Sequence, residues 1–273
     1  CVKITGSPTN DLYVSYDKGL EPLSTLNSEL FEKYRVAYYY AKADDLGRKN
    51  RQPAYDALEE LENCKDEIYR YKVNFIKENP DSPVALYVAG TLSITKYGRG
   101  EIEKVLSLLS GASRNSAKGK ALAERLNNIP VYVGDQYLDI EMLDKESKEI
   151  RLSDVIKPGK YTLLEIWASW CGPCRGDIPH LKDAYSAYHA KGFDIVSVSI
   201  DADKGQWKKA LEQEQMPWLQ VCDKGEGFDG FIVKKYGISG VPSSFLIDPQ
   251  GKIVLTNARG GWLDTKLKEL FEK

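Results

Sequence analysis

The sequence predicts an α/β unit with a central mixed sheet flanked by helices over residues 129–273, preceded by a mostly α-helical domain over residues 1–128. Three observations carry this. The chain has 273 residues, and roughly 100–200 residues per domain favours two units. Ala57, Leu61, Cys64, Ile68, Tyr71 and Phe75 recur at spacings of 4, 3, 4, 3 and 4, which is one apolar face of a long helix. After Asn127-Asn128-Ile129-Pro130 the pattern changes to short β-rich runs alternating with helical stretches, as in chains that fold through βα units.

In chain order, residues 2–16 alternate loosely and contain Gly and Pro, so one or two short strands are expected within 1–16. Residues 28–128 read as mostly helical. The long helix stops at Asn79-Pro80, and Ser82-Pro83 supplies an N-cap and a first helical residue for a helix running to about residue 94. Further helices fit residues 101–109 and about 116–127. In the second unit, strands are expected at 136–142, 160–167, 193–200, 218–221, 243–247 and 253–257. Helices fit 172–190, 204–213, 228–236 and 263–272. Asp248-Pro249-Gln250-Gly251 reads as a hairpin turn between two β-rich runs.

Composition excludes several functions. With 38 Lys+Arg against 40 Asp+Glu, no basic excess points to nucleic acid or to an anionic membrane surface. No apolar run approaches the roughly 18–20 residues of a spanning helix. Five cysteines are too few for a disulfide scaffold in a chain of this length, so any cysteine chemistry is local.

That chemistry concentrates at Trp167-Ala168-Ser169-Trp170-Cys171-Gly172-Pro173-Cys174, where an apolar strand gives way to a helix. Cys174, Ile178, Leu181, Tyr185 and Tyr188 form the helix's inward stripe. Cys171, at the helix start, meets free amide groups and the positive end of the macrodipole, which favour a thiolate. Cys174, one turn on, is expected to be the more buried sulfur. The first sulfur is placed to attack a partner disulfide and the second to resolve the mixed disulfide. Gly172-Pro173 keeps the turn tight. A zinc site needs about four ligands, and no second Cys/His pair is present. His180 and His189 lie off the Cys174 stripe and are expected at the surface. A structural disulfide closing so short a loop would constrain the unfolded chain little. Cys64 and Cys222 read as buried small apolar residues, and Asp201, Asp203 and Trp207 as a helix start.

Trp170-Cys171-Gly172-Pro173-Cys174 resembles the active-site motif of thioredoxins, a family the same redox chemistry already brings to mind. Pro179 stands where thioredoxins carry a kinking proline, and Tyr236-Gly237-Ile238-Ser239-Gly240-Val241-Pro242 resembles their segment ending in a cis-proline. The resemblance implies a thioredoxin-like fold. It implies that Val241 and Pro242, with Trp170, Gly172 and Pro173, form an edge that binds an extended substrate. It also implies that Glu165 is the buried acid beneath the dithiol, normally an aspartate, acting as proton acceptor for Cys174. From alternation alone, Glu165 could equally lie on a solvated face.

Cys174 and Pro242 are separated by 67 residues, more than a minimal thioredoxin needs. The inserted 201–221 segment, the lead-in 136–154 and Ser243-Ser244-Phe245-Leu246-Ile247-Asp248 are similar to the TlpA/ResA-like branch of bacterial extracytoplasmic thiol-disulfide oxidoreductases. The front segment resembles N-terminal regions joined to such modules in envelope proteins. The expected function is therefore reduction of protein disulfides in the bacterial envelope, on its periplasmic side, with an upstream membrane or periplasmic reductant and no cofactor, metal or nucleic acid. Cys1 fits a lipid-anchored first residue or an arbitrary start of the chain. Peroxiredoxins share the architecture, but their Pro-Thr-Cys spacing is absent, leaving thiol peroxidase a weak alternative. The alternative from another class is an envelope binding or scaffold protein that recognises a partner through Tyr34, Tyr38, Tyr39 and Tyr40, its dithiol incidental.

Overall fold

A computed structural model describes residues 6–40, 50–128, 131–225 and 227–272. The chain divides into two units, Cys1–Asn128 and Ile129–Lys273.

In the first unit, Ser7 caps helix α1 (Pro8–Tyr39) by accepting a hydrogen bond from the Asn10 amide, with Pro8 in the first turn. The strands expected within 1–16 are therefore not found at residues 8–16, which are helical; residues 1–5, including Cys1, lie outside the described residues. The Ser-Pro cap and tertiary packing outweigh the loose alternation. Tyr16 is buried, its ring 4.7 Å from Phe75 and 5.6 Å from Tyr71, and these contacts require α1 to lie along α2 (Gln52–Glu78). Cys64 is buried between them, its sulfur 3.5 Å from the Leu23 carbonyl. Tyr34 and Tyr38 are buried too, whereas Tyr39 and Tyr40 are exposed. Five shorter helices follow: α3 (Pro83–Gly90), capped by the Ser82 hydroxyl, α4 (Ile94–Tyr97), α5 (Arg99–Ser107), α6 (Gly111–Asn115) and α7 (Ala117–Asn128).

The second unit holds a seven-stranded mixed sheet. Its strands in chain order are β1 (Glu141–Leu143), β2 (Glu149–Arg151), β3 (Tyr161–Trp167), β4 (Phe193–Ser199), β5 (Leu219–Asp223), β6 (Ser243–Ile247) and β7 (Ile253–Thr256). Their order across the sheet is β2-β1-β5-β4-β3-β6-β7. Strands β3, β4 and β5 run parallel, and β1, β2, β6 and β7 join antiparallel. Helices α8 (Leu152–Val155), α9 (Gly172–Tyr188), α10 (Lys204–Glu214), α11 (Phe231–Tyr236) and α12 (Gly260–Phe271) complete it. This is the thioredoxin-like fold expected. Of the strand expected at 136–142, only Glu141 and Met142 are in β1; Gln136 instead makes a single bridge to Lys252. The Asp248 carboxylate accepts from the Gln250 and Lys252 amides, closing the β6–β7 hairpin over Gly251 at φ +83°, a left-handed conformation glycine adopts without penalty.

Strand β3 is central and buried from Thr162 onward, which is why it reads as an unbroken apolar run. Its C-terminal end delivers the chain to the dithiol.

Candidate active site

Cys171 is the N-cap of α9, and its sulfur accepts a hydrogen bond from the Cys174 amide at 3.2 Å. The two residues form a disulfide with their Cα atoms 5.3 Å apart. Cys171 is 5 % exposed and Cys174 0 %, so only the first of the two residues keeps an opening to solvent. Gly172 and Pro173 are exposed on the first turn. A sulfur at a helix N-cap lies where amide dipoles favour negative charge.

The loop before Cys171 is held from the next strand. Asp201, 2 % exposed, accepts from the Ser169 amide at 2.8 Å, the Ser169 hydroxyl at 2.7 Å and the Ser199 hydroxyl at 2.6 Å. Asp203 plays the helix-start role expected for this segment, capping α10 through the Gly205 and Gln206 amides, and Trp207 lies in the first turn, its amide donating to the Asp203 carbonyl. Asp201 instead fixes the path to Trp170. Sequence reasoning missed this because nothing local joins residues 32 apart. With its loop anchored, Trp170 stands 61 % exposed, its ring 6.3 Å from the exposed Phe228. An open groove of about 530 Å³ begins at Ser169 and Trp170 and runs past Arg175, Gln206 and Lys209.

The Val241-Pro242 bond is cis. Strand β6 starts at the next residue, with Ser243 opposite Ile166, so Val241 and Pro242 lie beside the end of β3. Both are half-buried, and Val241 makes no hydrogen bond through its own backbone among the described residues.

Glu165 is 6 % exposed, in register with Ser197 on β4 and Ser244 on β6. Burial, the largest influence, pushes its carboxyl up to about 7; the Ser197 hydroxyl and Arg259 favour the charged form, and Asp177 opposes it. The solvated-face alternative for Glu165 does not apply.

The expectation that His180 lies at the surface is overturned. His180 is 7 % exposed and its Nε2 is 2.6 Å from Asp264 Oδ1 on α12, a second helix packed on α9 that local periodicity could not reveal. His189 is half-exposed. Cys222 is buried, with its thiol pushed up by burial, as is that of Cys64. Among the described residues, no group of three or more His, Cys, Asp or Glu side chains is placed to hold a metal ion, and no helix is long and apolar enough to cross a membrane.

Residues 133–256 match the AhpC/TSA family. Over 141 residues the chain is 31 % identical to the thiol-disulfide oxidoreductase ResA of Bacillus thuringiensis subsp. konkukian, a match spanning 52 % of this chain and 78 % of that protein. The chain belongs to the ResA-like thiol-disulfide oxidoreductases. A ResA from Geobacillus thermodenitrificans is also 31 % identical, over 45 % of this chain and 67 % of its own length. Among solved structures, the thioredoxin domain of a thiol-disulfide oxidoreductase from Bacteroides vulgatus is 33 % identical with a TM-score of 0.46, covering 52 % of this chain and 99 % of that one. A thiol-disulfide oxidoreductase from Bacteroides fragilis is 31 % identical with a TM-score of 0.46, covering 50 % and 99 %. The AhpC/TSA match lies within the second unit, as does the dithiol of this oxidoreductase.

Proposed function

We propose that this oxidoreductase reduces disulfides of polypeptides in the bacterial envelope, outside the cytoplasm, with electrons from an upstream membrane or periplasmic reductant. The observation that carries the reading is the pair of unequal sulfurs, Cys171 capping α9 and Cys174 sealed beneath it. In the reduced enzyme, the Cys171 thiolate attacks a substrate disulfide and displaces one substrate thiolate. Cys174 then gives its proton to Glu165 and attacks Cys171 Sγ. The Cys171–Cys174 disulfide forms, and the second substrate sulfur leaves as a thiolate that water protonates. Two electrons pass from dithiol to substrate. Trp170, Gly172 and Pro173 flank the entering chain, and the backbone of Val241, beside Pro242, holds it as a short added strand.

The test is trapping. In whole envelopes, Cys174→Ser should accumulate polypeptides joined to Cys171 and released by reductant, while wild type and Cys171→Ser accumulate none. Insulin reduction should fail in Cys171→Ser and persist in Cys64→Ser. A Cys171→Ser protein as active as wild type would refute the reading.

A further inference from the structure

The face of the sheet that carries Glu165 holds two charges the reaction above does not use. Ser197, register partner of Glu165, accepts from the Trp218 indole at 2.8 Å, and the Trp218 ring lies 5.5 Å from Tyr185 of α9. Glu165 and Ser197 therefore share the side that α9 covers. On the other flank Glu165 pairs with Ser244, and the next residue of β6, Phe245, pairs with Thr256, the last residue of β7. The chain thus leaves β7 at the level of Glu165, two strands away. Three residues later Arg259 caps α12, its Nε donating to Asp177 Oδ2 at 2.6 Å while a second guanidinium nitrogen meets the same oxygen. Asp177 follows Cys174 by three residues in α9, on the same side of the helix. Both side chains of this ion pair are partly open, 21 % for Asp177 and 31 % for Arg259, whereas Glu165 is sealed.

We propose that Asp177 and Arg259 are positioning residues for proton transfer at Glu165, their ion pair holding opposite charges beside the buried carboxyl so that neither acts on it alone. The inference rests on Glu165 being the proton acceptor for Cys174. Asp177 by itself would make Glu165 hold its proton more tightly, and Arg259 by itself would draw it off; locked together they offset one another. Ser197 from β4 and Ser244 from β6 flank Glu165, and the charges of Asp177 from α9 and Arg259 from the β7–α12 connection act on it. The His180–Asp264 pair lies further along the same two helices. An acceptor must take a proton in one step and return it afterwards, which calls for an affinity near the working pH. A balanced pair achieves this where one charge would overshoot.

The test uses the oxidised full chain, with side-chain carboxyl carbons of glutamate followed by NMR across pH and the Glu165 signal assigned from its loss in Glu165→Gln. Asp177→Asn should lower the Glu165 midpoint and Arg259→Gln should raise it, each by about threefold to tenfold in proton affinity, and Arg259→Lys should restore it. A merely structural clasp predicts shifts of one sign, or none, alongside lost stability, and that outcome overturns the proposal. If Arg259→Gln fails to fold, the near-isosteric Asp177→Asn decides alone: a midpoint that does not fall refutes it. The proton-acceptor role is tested separately, by the rate at which reduced Glu165→Gln resolves a mixed disulfide on Cys171. A rate and pH profile equal to wild type would remove that role, whatever the midpoints of the other variants.

Discussion

Replacing Glu165 by Gln removes one ionisable group from the middle of the sheet while keeping its shape, and the consequence for stability follows from burial. A carboxyl moved from 4.5 to about 7 prefers its neutral form by about 3 kcal/mol, at roughly 1.4 kcal/mol for each tenfold in proton affinity. The folded state binds this proton more tightly than the unfolded chain. The stabilisation relative to ionised Glu165 is therefore fully present below about 4.5 and is lost as pH rises through about 7. Gln carries no such linkage. The stability of wild type minus that of Glu165→Gln should fall by about 3 kcal/mol between pH 4 and pH 8, with the change concentrated between the two values. Urea unfolding of the oxidised chain read by tryptophan fluorescence measures this in the correct unit, because all five tryptophans lie at positions 167, 170, 207, 218 and 262. A difference that stays constant with pH would show that Glu165 titrates as an ordinary exposed carboxyl, and the reasoning from burial would be wrong.

Asp201→Ala should destabilise the same unit by about 3 kcal/mol, since three hydrogen bonds are lost and the Ser169 amide is left without its acceptor; the same fluorescence measurement checks it, and insulin reduction should fall with the displaced loop. Trp170→Ala should raise KM for protein disulfides at nearly unchanged kcat, with stability altered by less than about 0.5 kcal/mol because the ring is largely exposed; steady-state kinetics separate the two constants. Gly119→Ala should destabilise the first unit by about 2 kcal/mol, because a Cβ there would collide with the backbone carbonyl oxygens of Ser113 and Arg114; thermal unfolding followed by far-ultraviolet circular dichroism reports it while insulin reduction stays at the wild-type level.

Residues whose roles depend on near neighbours were legible in the sequence. Ser82-Pro83 opens α3 because a cap and a fixed φ are local chemistry. The stripe of Ala57, Leu61 and Cys64 is buried in α2 as its period requires, and Cys171 meets the start of α9 because strand-to-helix patterning is local too. The resemblance of 236–242 to a cis-proline segment pointed to a bond that is cis at Val241-Pro242. Residues 8–16 are helical rather than stranded for the complementary reason: their weak alternation yields to Tyr16 docking on Tyr71 and Phe75, partners more than fifty residues away.

What the sequence by itself determined is the chemistry: a dithiol at a helix start, an acid six residues upstream and a proline segment far downstream. What only the tertiary structure decided is each group's environment. His180 is interior because α12 lies on α9, Asp201 holds Ser169 across two strand ends, and Arg259 reaches Asp177 because β-sheet register brings the end of β7 level with Glu165. Periodicity along a chain states which side of an element turns inward. Which charges then meet there is set by strand order and helix packing, and those are fixed by burial of apolar surface across the whole unit rather than by any local run of residues.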